Sequence, residues 1–280
     1  MALAKLSELT ALAEKGNYGI GAFSIANMEM IMGAVQAAEE TGTPIILQVA
    51  QARLPYSPLR IIGPMMLAAA KAAKVPVAVH LDHGQDAETA LEALQLGFTS
   101  VMIDASLLPL RQNIAKTREI AALARQYGAD VEAEIGRLGI GEDGSVEGAR
   151  LYTSPDEALE FFTQTGVDAL AVSFGNAHGF YTTPPVLNFA ILEEIHKRVP
   201  VPLVLHGGSG LTAQDFQNCI RHGVRKLNIA TATFSATVQA AGQYLGQAKQ
   251  PSYFDMNAAM RREICSTVGR HIHIFQNRPE

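Results

Sequence analysis

The chain has 280 residues, 48% of them hydrophobic, and a formal net charge of −5 at pH 7. That length and apolar content suffice for one large α/β core, and the acidic balance offers no electrostatic footprint for nucleic acid or an anionic membrane. No apolar run reaches the ~18 residues of a membrane span, and two cysteines without metal-ligand spacing read as reduced thiols.

The first segment places Leu3, Leu6, Leu9 and Leu12 at helical spacing, while Lys5, Glu8 and Glu14 would interrupt a secretory apolar core. A cytoplasmic protein is expected. Strand-like runs follow at 18–23, 44–49, 75–81, 100–103, 129–135, 169–174, 201–205 and 225–229. Between them, segments such as 28–41, 60–74, 87–96, 113–127, 155–164 and 188–199 have helical periodicity, and Ser154-Pro155 reads as an N-cap with proline at the first helical position. A last helix is expected over 253–270. Eight β–α alternations without a linker predict one domain, residues 1–280, folded as a (β/α)8 TIM barrel with an extra C-terminal helix. An open doubly wound sheet is the alternative. The polar residues favour the barrel, in which active groups come from the C-terminal ends of several strands. Ser24 follows the first strand, Gln48 lies in the second, and Asp82 and His83 end the third. Asp104 ends the fourth, Glu134 the fifth, His206 the seventh and Asn228 the eighth, while His178 lies just beyond the sixth.

His83, His178 and His206 each follow an apolar run and each precede a glycine. Strands stop there in tight turns. Three neutral imidazoles beside the carboxylate of Asp82 suggest a catalytic zinc site with one open position. The segments HGGSGL (206–211) and NIATAT (228–233) put glycines and a helix start side by side, where backbone N–H groups can approach an anion. Gly207, Ser209, Asn228 and Thr231, with the backbone of Gly179, are therefore candidate phosphate contacts. Glu142 and Asp143 lie among Gly136, Gly139, Gly141 and Gly144. They form either a surface loop of solvated acids or a lid that carries a general base to the substrate. His80 alternates with Asp82 and should take a hydrogen-bonded interior role. Lys226 is read at the start of the eighth strand, the wrong end of the barrel for Schiff-base chemistry.

The motifs VHLDHG, MIDAS (102–106), EAEIG with GEDG, NAHGFY (176–181) and LVLHGGSGL together resemble the class II, zinc-dependent ketose-bisphosphate aldolases, which include the fructose- and tagatose-bisphosphate enzymes. The resemblance runs from GAFSIANMEM (21–30) to NIATAT. It implies one Zn2+ held by His83, His178 and His206. It makes Asp82 the acid/base at the C4 hydroxyl and Glu142 the residue that moves the C3 proton. Asp104 and Glu134 would support the metal or hold a second cation such as Na+ or K+. The implied substrate is a phosphorylated ketose, cleaved through a zinc-stabilised ene-diolate to dihydroxyacetone phosphate and an aldehyde, and the implied assembly is a homodimer or homotetramer. Several positions depart from the family pattern: Ser24 for asparagine, Ala50 for serine, Thr182 for lysine and Ala232 for an acidic residue, with Arg261 and Arg262 offset from the usual arginine. These concern the aldehyde end, so the substrate is expected to be a ketose 1-phosphate or an unusual bisphosphate. A metal-dependent sugar-phosphate epimerase and a non-catalytic aldolase-like subunit are the competing readings.

Overall fold

The computed structural model describes residues 2–136, 152–178 and 185–277. Within them, eight parallel strands close on themselves: β1 (Ile20–Ser24), β2 (Ile45–Ala50), β3 (Val77–Gly84), β4 (Ser100–Ile103), β5 (Asp130–Ile135), β6 (Ala169–Val172), β7 (Leu203–Leu205) and β8 (Val224–Ile229). The closing pair is β1 with β8, where Ala22 lies opposite Asn228. The helices are α1 (Leu6–Gly16), α2 (Met28–Thr41), α3 (Leu59–Ala72), α4 (Ala87–Leu96), α5 (Leu110–Gln126), α6 (Pro155–Thr165), α7 (Phe189–Arg198), α8 (Ala213–Arg221), α9 (Thr231–Gln247) and α10 (Tyr253–Phe275). The expected barrel is therefore the observed one, and α2 to α9 each follow one strand. None of the described helices is long and apolar enough to cross a membrane.

Two cores hold the architecture. The larger lies between the sheet and the ring of helices and is built from the outward Val, Ile, Leu and Phe of the strands. The smaller fills the lower barrel. There the inward strand residues are short, Ala22, Ala78, Ala169 and Ala171 among them, and the gap is closed from below by Leu6, Leu9 and Ala13 of α1. The N-terminal helix is thus a plug. Its approach is fixed by the preceding residues, where Ala4 N donates to Val77 O and Val77 N donates to Ala2 O.

Helix boundaries follow local chemistry. Asn27, Asp86, Asn188, Thr212 and Ser252 each accept a backbone N–H in the first turn of their helix. Helix α5 begins three residues before the expected 113, because Pro109 already has φ −53° and presents the chain in a helix-ready direction. Helix α10 continues five residues past the expected 270. Val268, Ile272 and Phe275 bury along one face, so the apolar stripe holds the helix past that point. It packs on α2 at Gly33, where a Cβ would lie 2.7 Å from Arg261 O.

Candidate functional site

Strand β3 carries two adjacent functional side chains, which a regular strand would send to opposite faces. Ala78, His80 and Asp82 take the inward positions. His83 should then face outward. Instead its backbone is left-handed, with φ +43°, and the pairing of β3 with β4 shifts between Leu81 and Gly84. This bulge turns the imidazole back over the barrel mouth beside Asp82. Gly84 completes it, since a Cβ there would collide with Met102 O. The strand expected over 75–81 therefore stops short of the observed end at Gly84, because the alternation rule does not anticipate a bulge.

His83, His178 and His206 offer nitrogens that lie within 4.8 Å of one another. Their rings meet edge to face, at 4.5 Å between the centroids of His83 and His206 and 4.8 Å between those of His83 and His178. Carboxylates orient two of them from outside. His83 Nδ1 donates to Asp104 Oδ2 at 2.8 Å, and His206 Nε2 donates to Glu132 Oε1 at 2.8 Å. The inner nitrogens, His83 Nε2 and His206 Nδ1, then face each other at 2.8 Å. Without a proton or a cation between them, two lone pairs would repel at that distance.

Burial opposes a charge on His83, but the carboxylates of Asp82 and Asp104 overcome it and hold its pKa well above the ordinary imidazole value. Burial and the neighbouring His83 push His178 and His206 well below it. Burial also opposes ionisation of Asp104, yet the hydrogen bond and charge of His83 keep its carboxyl below the usual range. Glu134 goes the other way: burial, then the charge of Asp104, raises its pKa well above the usual carboxylate value. So one imidazolium neutralises part of a buried anionic cluster. A divalent cation fits this donor set well. It would replace the proton between the inner nitrogens, and the outer nitrogens already have the carboxylate partners that metal-bound histidines keep.

Asp82 is held on both oxygens. Asn228 Nδ2 donates to Oδ1 at 3.0 Å and Gln48 Nε2 donates to Oδ2 at 3.0 Å. Gln48 also reaches Ser24 Oγ at 3.2 Å, so the candidates Ser24, Gln48, Asp82 and Asn228 form one chain of contacts. Asp104 and Glu134 join His83 in a second group of convergent donors.

The cleft beside the histidines is floored by backbone. Gly207 has φ +70° and Gly208 is packed so that a Cβ would lie 2.7 Å from Asn228 O. Ser209 Oγ accepts from Ala232 N at 3.2 Å. Next to them α9 starts at Thr231 without a cap from its own preceding residue, Ala230, and without an acidic residue in its first turn. The positive end of a helix dipole beside glycine backbone suits an anion. The candidates Glu142 and Gly179 lie outside the described residues.

Two contributors are more central than their sequence positions suggest. Glu132 is an inward neighbour of Glu134 in the sequence; in the barrel it holds His206. Lys226 lies not at the far end but within reach of the site, with Nζ 2.9 Å from Glu132 Oε2 and 2.7 Å from Asn228 Oδ1. The i, i+2 pairs Glu132/Glu134 and Lys226/Asn228 carry the signal, because period two puts each pair on one face. His80 has its expected interior place, with Nδ1 at 2.9 Å from Ser100 Oγ.

The profile of the family described as fructose-bisphosphate aldolase class-II matches residues 4–279. A Bacillus subtilis (strain 168) protein named "Probable fructose-bisphosphate aldolase" is 38% identical over 258 residues, spanning 91% of this chain and 90% of the relative. The crystal structure of the YdjI aldolase from Escherichia coli K12 superposes with a TM-score of 0.89 at 34% identity, covering 98% of this chain and 97% of that one. Fructose-bisphosphate aldolase from Campylobacter jejuni, at 23% identity, a TM-score of 0.77 and coverage of 98% and 95%, shares the fold.

Proposed function

The chain belongs to the class-II fructose-bisphosphate aldolase family of carbon–carbon lyases, and from that premise we propose that it reversibly cleaves a ketose 1-phosphate or ketose 1,6-bisphosphate to dihydroxyacetone phosphate and an aldehyde. The observation that carries this reading is the convergence of three imidazoles and a doubly held carboxylate beside the N-terminus of α9.

His83, His178 and His206 hold a single Zn2+, which when bound supplies Lewis-acid polarisation of the substrate carbonyl and offsets the negative charge that cleavage leaves. Asp82 takes the C4 hydroxyl proton. Its two amide partners leave its carboxylate in one orientation, so its remaining lone pairs face the cleft. Glu142 moves the C3 proton, a role that rests on the family resemblance alone. Gly207, Ser209, Asn228, Thr231 and Gly179 receive the phosphate, and the α9 N-terminus adds its dipole. Asp104 and Glu134 steady His83 or hold a monovalent cation, Na+ or K+. Ser24 and Gln48 line the side toward the aldehyde portion. Ser24 and Ala50, shorter than the family residues at their places, favour a substrate whose far end differs from that of fructose 1,6-bisphosphate.

The protein works in the cytoplasm as a homodimer or homotetramer. Support for self-association comes from α9, which carries no charged residue over its 17 positions and leaves Val238 at 72% exposure.

The test is a panel of ketose 1-phosphates and bisphosphates, with dihydroxyacetone phosphate detected by a coupled reductase. Release from at least one, abolished by a chelator and restored by Zn2+, is expected. No release from any member sinks the aldolase reading, and chelator-resistant release sinks the metal.

A further inference from the structure

Lys226 has no exposed surface and lies beneath the three histidines, with a different partner on each side. On one side Nζ meets Glu132 Oε2 at 2.9 Å. On the other it donates to Asn228 Oδ1 at 2.7 Å.

Each partner passes on an orientation. An ammonium can only donate. Asn228 must therefore turn its carbonyl to Lys226, which leaves Nδ2 to donate to Asp82 Oδ1 at 3.0 Å. Were the amide reversed, a carbonyl oxygen would face a carboxylate. The carboxylate of Glu132, neutralised at Oε2, presents Oε1 to His206 Nε2 at 2.8 Å. That contact puts the ring proton on Nε2 and leaves Nδ1 as the lone pair aimed at His83 Nε2. The other imidazole near Glu132, His80, does not replace the ammonium. Its Nε2 lies 3.6 Å from Oε2, and burial together with Lys226 lowers its pKa to about 3, so it is neutral. The position of Lys226 also closes off a nucleophilic role, because Nζ is enclosed, ion-paired with Glu132 and donating to Asn228.

We propose that Lys226 is a positioning residue that sets, from one buried ammonium, both the tautomer and tilt of His206 and the amide orientation that holds Asp82. The inference rests on the aldolase reading, in which His206 binds the cation and Asp82 moves the proton.

Co2+ is the probe, because its visible absorption reports the ligand set without turnover. Metal-free protein is titrated with Co2+ for the wild type, for Lys226→Met, and for Lys226→Met combined with Glu132→Gln. The double variant removes both buried charges, so it keeps a folded reference if the single variant is lost, as thermal unfolding reports. In it, the amide introduced at position 132 has no ammonium to select which end faces His206. The expected result is Co2+ affinity lower by about 10–100-fold, the range seen when outer partners of metal ligands are removed. Shifted visible bands should accompany it. With the ketose phosphate that the wild type cleaves, kcat should fall at least about tenfold while KM stays within about twofold. Wild-type Co2+ affinity, bands and kcat in a folded double variant would reduce Lys226 to a space-filling group and overturn the proposal. Loss of only one of the two effects would overturn the joint role. If the wild type binds Co2+ no better than a His178→Ala variant, the metal reading itself falls, and this inference with it.

Discussion

At the scale of single residues, the outer partners of His83 and His206 decide what the inner nitrogens do. Asp104 and Glu132 take the outward N–H groups, so a proton held between the rings stands where a cation would. Metal uptake must displace it. Because Asp82 and Asp104 raise the His83 pKa, metal binding there should release a proton. Calorimetric titration with Zn2+ in two buffers of different ionisation enthalpy measures the release; identical heats in both would refute it. The same shift fixes a sign for stability. A folded-state pKa raised above the unfolded value of 6.5 stabilises the metal-free fold fully below that pH. The stabilisation is lost as pH rises through the raised value. On the proposed roles, in which the carboxylate moves a proton and the imidazoles hold the ion, Asp82→Asn should lower kcat by about 10²–10⁴-fold while Co2+ still binds. The histidines are legible in the sequence because each is flanked by an apolar run and a glycine. The pairing of Lys226 with Glu132 is not. A lysine and a glutamate far apart in the chain say nothing of each other until the barrel closes and puts them 2.9 Å apart.

At the scale of elements, eight alternations of strand and helix are readable because parallel strands buried on both faces are continuous apolar runs. What alternation cannot supply is the bulge in β3. Periodicity assigns His83 to the outer face, and only a left-handed residue at 83 brings it beside Asp82. Non-glycine residues in that region cost about 1–3 kcal/mol, held by the structure around them. The role of α1 is equally hidden, since its leucines look like those of any amphipathic helix. Leu9 is fully buried under a barrel floor of alanines. Leu9→Ala should lower stability by about 2–5 kcal/mol, because the small interior side chains cannot collapse to fill the space. Chemical denaturation of the metal-free protein checks it, and a loss below about 1 kcal/mol would show that α1 is not a plug. Gly33→Ala tests the α2–α10 contact. Its methyl group meets the backbone oxygen of Arg261, so a loss of about 1–3 kcal/mol is expected in the same assay.

At the scale of the whole molecule, α9 joins two features: its N-terminus lines the cleft beside the histidines, and its outer face is uncharged. Val238, Leu245 and, at the start of α10, Tyr253 and Phe254 are exposed apolar side chains in this region. A twofold interface sets a surface against its own copy, so charge near the axis would meet its own sign; an uncharged helix avoids that. Light scattering should show more than one protomer, and Val238→Glu with Leu245→Glu should shift the mass toward the monomer. A monomeric wild type would end the homo-oligomer reading. The three imidazoles carry a further implication for how the protein comes into being. His83 and His206 are 123 positions apart, and Lys226 lies later still. A polypeptide emerging from the ribosome has no complete cluster until its seventh strand is made, and no buried ammonium beneath it until the eighth. Truncated synthesis products therefore lack the assembled three-imidazole cluster, which comes together only when the barrel closes.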